Sequence, residues 1–95
     1  MTAIKYTFDD TVDMREVEDT LALSVMAMES LHGDASVRLD ASYSLDLRRR
    51  SCVIDGDTEI GRALNRVFMG YTRREFGDRT FQVRRVARPL APAAA

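Results

Sequence analysis

The sequence predicts one two-layer α+β sandwich, in which a four-stranded antiparallel sheet carries two helices on one face in the order β-α-β-β-α-β. Three observations lead there. Two amphipathic segments, 13–33 and 57–77, each open on an aspartate and close on a glycine. Alternating apolar segments flank both of them. A short motif also recurs: Gly33-Asp34-Ala35-Ser36-Val37 parallels Gly77-Asp78-Arg79-Thr80-Phe81, and each glycine lies twenty residues after a capping aspartate, Asp13 or Asp57.

Ala3 to Phe8 alternates, with Ile4, Tyr6 and Phe8 on one side, and reads as the first strand. Asp13 to Gly33 is the first helix. Asp13 caps it, Glu16 stands where a capping box reaches back, Val12 and Val17 are spaced as a hydrophobic staple, and Gly33 stops it. Met14, Val17, Leu21, Val25 and Met28 make its apolar stripe. Leu23, Met26 and Ala27 point to the other side, so the helix is more apolar at the back than a surface helix requires.

Val37, Leu39, Ala41 and Tyr43 then alternate inward, and Cys52 and Ile54 resume that face beyond the arginines. A turn near Asp46 and Leu47 makes a hairpin that pairs Ala41 with Cys52 and Leu39 with Ile54, and sets Arg38 beside Asp55. Asp57 to Gly77 is the second helix, capped by Asp57. Its buried face is Ile60, Ala63, Leu64, Val67, Phe68 and Tyr71, and Arg62, Arg66 and Arg73 share the opposite face with Met69. Gly61 and Gly70 lie inside it, each costing about 1 kcal/mol relative to alanine, and are expected to allow close packing. Thr80 to Val86 is the last strand, with Phe81 and Val83 inward.

This pattern resembles the ferredoxin-like arrangement, a fold so widespread that it carries little functional information. Residues 1–88 form the domain, and the Pro- and Ala-rich residues 89–95 read as a flexible tail. A hydrophobic content of 45% is enough for a core. No apolar run is long enough to span a bilayer and no signal peptide is visible, so the expectation is a cytoplasmic protein without membrane contact. A single cysteine excludes an internal disulfide and a multi-cysteine metal cluster.

Net charge is −1, but residues 1–47 hold ten acids and three bases while residues 48–95 hold five acids and eleven bases. Thirteen of the fourteen bases are arginine, with Lys5 the exception. Such asymmetry suits an anionic partner, head-to-tail self-association, or pairing within the fold.

Few residues point to chemistry. His32 is the lone histidine, near a helix C-terminus where positive charge is favoured, and a structural role outweighs a general base. Cys52 alternates inward and reads as a small apolar residue. Asp9, Asp10 and Asp13, like Asp55 and Asp57, sit at strand-to-helix turns, where capping outweighs cation binding. Asp55-Gly56-Asp57 lacks the core of a phosphate loop. Met14, Met26 and Met28 are expected as core filler, except that Met26 lies with Leu23 on the outward side.

Arg48, Arg49 and Arg50 at a hairpin tip could grip phosphates, against a solvated turn that protects a sheet edge. The open sheet face should show Lys5, Thr7, Arg38, Ser42, Ser51, Val53, Gln82 and Arg84, and it offers no aromatic platform for stacking bases. The first functional expectation is therefore a non-enzymatic protein–protein interaction or self-association module, a homodimer or a complex with another protein, with Leu23, Met26 and Ala27 as its interface. The alternative is an anion- or nucleic-acid-backbone-binding domain using Arg48, Arg49, Arg50, Arg62, Arg66 and Arg73. A small enzyme using His32 or the aspartates ranks last, and no cofactor, metal or small-molecule ligand is expected.

Overall fold

The computed structural model describes residues 2–87. The expected tail, 89–95, and the domain boundary at residue 88 lie outside the described residues. In chain order the elements are β1 (Thr2–Phe8), α1 (Met14–His32), α2 (Asp34–Asp40), β2 (Tyr43–Asp46), β3 (Ser51–Asp55), α3 (Glu59–Phe76) and β4 (Phe81–Ala87). The strands form one antiparallel sheet in the order β2-β3-β1-β4, so the fold is α+β, with three helices among the described residues. No helix among the described residues is long and apolar enough to cross a membrane.

The two long helices end where the sequence places them. The Asp13 carboxylate accepts the Arg15 N–H at 2.9 Å and caps α1, while Glu16 stays exposed. Gly33 at φ 87° and Gly77 at φ 80° close α1 and α3 in a conformation that costs other residues strain. At α3 the cap is Thr58, not Asp57: its hydroxyl accepts the Gly61 N–H at 2.9 Å. Asp57 is held back because its own N–H donates to the Asp55 carboxylate and its carboxylate accepts the Thr2 N–H at 3.0 Å. Only Gly61 is a packing glycine, and against a strand: a Cβ there would stand 2.2 Å from the Asp55 carbonyl oxygen, whereas one at Gly70 meets nothing within 4 Å.

The third helix corrects the expected long strand. Residues 34–40 fold as α2, because Asp34-Ala35-Ser36 opens with an acid at a helix N-terminus and holds no β-branched residue. The alternation that reads as a strand buries only Val37, leaving Leu39 84% exposed. Thr58 secures the far end of α2 by donating its hydroxyl to the Asp40 carbonyl at 2.6 Å.

The hairpin consequently slides. Tyr43 faces Ile54 and Leu45 faces Cys52, in place of Leu39 and Ala41. The slip is an even number of residues, so the faces of β2 and β3 are preserved. Arg38 rides on α2, far from its expected place beside Asp55, which pairs instead with Ala3. The turn needs no glycine because Arg50 takes the positive φ of 55° itself. That strain, about 1–2 kcal/mol, is offset by its guanidinium, which donates to the carbonyl oxygens of Phe8, Asp9 and Val12.

The core lies between the helices and the sheet, around Tyr6, Phe8, Val17, Ile54, Leu64 and Phe68. Tyr6 meets Phe68 edge-on at 4.8 Å and donates its hydroxyl to the Asn65 carboxamide oxygen, so burial raises its pKa well above the usual phenol value. Two inward positions on α1 are polar, and Thr20 and Ser24 satisfy them by donating to the carbonyls of Glu16 and Thr20. Val25 is half-buried. On α3, Thr72 takes the place expected of Tyr71: it is buried and donates to the Phe68 carbonyl at 2.7 Å, while Tyr71 turns outward. Val83 and Tyr43 keep their expected face but stand exposed on the edge strands β4 and β2.

Candidate functional site

The helix layer exposes several apolar side chains. Leu23 and Met26 are each 58% exposed on the outward side of α1. Ala27 is half-buried and packs on the core, so it leaves the expected trio. Across the seam between α1 and α3 stands Tyr71, and it lines with Leu23, Thr20, Arg74 and Glu75 a groove of about 360 Å³. Leu31, 74% exposed, lies two turns beyond Leu23 on the same side of α1, and Leu39 adds a fourth exposed aliphatic from α2. The spacing of Leu23, Ala27 and Leu31 by four residues was the signal for Leu31. Leu39 had none, because it hid inside a strand-like alternation.

The helices beneath these side chains carry opposite charge. α1 holds Glu16, Glu18, Asp19 and Glu29 against Arg15, and α3 holds Arg62, Arg66, Arg73 and Arg74 against Glu59 and Glu75.

The structure divides the six expected anion-binding arginines. Arg48 and Arg49 stand exposed on the β2–β3 turn, and Arg49 reaches Asp46 at 3.8 Å. Arg50 is occupied by the backbone carbonyls that it brackets, with Asp10 at 4.0 Å. Arg73 grips Asp78 at 2.7 Å, and that hydrogen bond holds the Asp78 carboxyl below the usual range. Arg62 and Arg66 are one helical turn apart on α3, and both line a cavity of about 470 Å³ at the β1–β4 edge. There they meet Arg85 of β4, which the sequence reading missed. Arg85 pairs directly with Ile4 and faces the helices, on the same side as Phe81 and Val83, so the alternation of the last strand was the signal for it.

The other candidates lie apart from both surfaces. His32 is exposed in the last turn of α1. Cys52 is fully buried, and burial pushes its thiol up to about 12, far from the thiolate that a nucleophile requires. The Asp9 carboxylate accepts both the hydroxyl and the N–H of Thr11, and the Thr11 hydroxyl contributes most to lowering its pKa. On the open face Lys5 lies between Val53 and Arg84, and Thr7 between Ser51 and Gln82. Ser42 and Arg38 stand outside the strands.

Comparison with protein-family models, with curated proteins and with solved structures finds no match to this chain.

Proposed function

We propose that this chain is a non-enzymatic self-association module whose dimer forms through the helix layers of two copies. The observation that carries the reading is exposed Leu23 on acidic α1, which shares a groove with Tyr71 of basic α3, with Met26 exposed one turn further along α1. The fold is read as the ferredoxin-like arrangement with α2 inserted after the first helix. The strand order β2-β3-β1-β4 supports that, although fold alone implies no function.

Charge selects the dimer's symmetry. A two-fold axis parallel to the helices lays each α1 over the partner's α3, acid on base. An axis across the helices would lay α1 on α1, and like charges would repel. A standard interface needs about 800 Å² per partner, and the two longer extents of the molecule are 34 and 30 Å. Association loses about 4–15 kcal/mol of rigid-body freedom, so the apolar side chains need the flanking charges. The edges are poorer docking sites, since β2 has four residues and β4 carries Arg84 and Arg85.

Size exclusion with light scattering tests this. At micromolar concentration the mass should be twice 10.7 kDa. Leu23→Glu with Met26→Glu should halve it and leave the circular dichroism unchanged. A wild-type monomer at hundreds of micromolar would refute the reading.

A further inference from the structure

The cavity at the β1–β4 edge shares no lining residue with the Leu23–Tyr71 groove, although Arg62 and Arg66 also belong to basic α3, and its chemistry points to a ligand. Arg62, Arg66 and Arg85 arrive from two elements, α3 and β4, and none of the three makes an ion pair among the described residues. Arginines placed only for solubility have no reason to converge on one concavity, where their mutual repulsion is strongest. Arg62 is also held in place, since its Nη1 donates to the Gly56 carbonyl at 3.1 Å. The volume of about 470 Å³ falls within the range of small-molecule sites.

The remaining lining gives the ligand further features. Asp57 is the one carboxylate in the cavity wall, and one of its oxygens already accepts the Thr2 N–H. The other is available to a ligand hydroxyl. Asn65 has its carboxamide oxygen taken by Tyr6, which leaves its amide N–H groups as donors. Ile4 supplies an apolar wall. Three guanidiniums and one carboxylate leave two net positive charges. A phosphate monoester carries about −1.5 to −2 near pH 7, whereas a carboxylate or a backbone phosphodiester carries one negative charge. Guanidinium forks also match phosphate oxygens in pairs.

We propose that this cavity binds a small phosphomonoester with neighbouring hydroxyls, of sugar-phosphate size. Arg62, Arg66 and Arg85 hold the phosphate, and Asp57 accepts from a hydroxyl. The shared chemistry could reach the cavity as free inorganic phosphate or as the organic ester, and the experiment separates the two.

Isothermal titration of the full chain with glucose 6-phosphate, inorganic phosphate and glucose tests it, with an unphosphorylated single-stranded oligonucleotide as a fourth probe. Glucose 6-phosphate should bind saturably at one site per chain, inorganic phosphate more weakly, and glucose without measurable heat. Arg66→Ala with Arg85→Ala should weaken the ester at least about tenfold, the loss of one or two charge-assisted contacts. Both side chains are exposed, so circular dichroism should be unchanged. Arg48→Ala with Arg49→Ala should leave the affinity as it is. The proposal is overturned by an absence of saturable binding at about ten millimolar, beyond ordinary small-substrate affinities. Equal loss in the Arg48/Arg49 variant would also overturn it, as would inorganic phosphate binding as tightly as the ester, or an oligonucleotide that binds where the ester does not.

Discussion

α1 and α3 lie side by side on one face of one sheet, and each ends on a glycine at positive φ, yet they turn different surfaces outward. α3 is nearer the amphipathic form expected of a surface helix: Ile60, Leu64 and Phe68 are buried and the arginines face water, with buried Thr72 and exposed Tyr71 its one departure. α1 inverts part of that rule. It buries Thr20 and Ser24, whose hydroxyls satisfy themselves on the preceding turn, and it exposes Leu23 and Met26. An apolar side chain left in water beside a buried hydroxyl is the opposite of what folding alone favours. The inversion is fuller on α1, with two buried hydroxyls and two exposed apolar side chains, than on α3, where Thr72 and Tyr71 show it once; the proposed dimer uses both sites.

The largest effect should come from the buried stripe of α3. Leu64→Ala is expected to cost about 2–5 kcal/mol in urea unfolding, because Leu64 is fully buried. Val25→Ala, at a half-buried site on α1, should cost less than half as much. A reversed order would mean that α1, not α3, is the better-anchored helix.

Next come the two glycines of α3. Gly61→Ala should destabilise by about 1–3 kcal/mol through overpacking, since its Cβ would press on the Asp55 backbone carbonyl. Gly70→Ala has open space and should stabilise by up to about 1 kcal/mol. Equal effects would show that α3 can lift off β3 freely. The smallest effect should be Arg66→Ala, within about 0.5 kcal/mol for an exposed side chain without an ion pair among the described residues.

The helix ends were readable because capping aspartate and stopping glycine act locally, and Asp13, Gly33 and Gly77 needed no tertiary partner. The repeat at the two helix–glycine–aspartate junctions misled for the same reason. After Gly77, Thr80 donates to the Phe76 carbonyl and Phe81 enters the sheet opposite Phe8. After Gly33, residues 34–40 fold instead as a second helix that packs against α1 and α3. The hairpin register then depended on where α2 ends, a length that alternation cannot supply. The apolar back of α1 was legible from helical spacing alone. The convergence of Arg62 and Arg66 with Arg85 was not, because it joins residues nineteen or more positions apart through the β1–β4 register.

The central claim is that α1 of one copy lies on α3 of another. Isotope-filtered nuclear Overhauser spectroscopy on a mixture of ¹³C-labelled and unlabelled chains tests it most directly. Intermolecular contacts from the Leu23 and Met26 methyls to the Tyr71 ring are the predicted result. Intermolecular contacts confined to the β2 or β4 edge, or none at a concentration where the mass is that of a dimer, would contradict it.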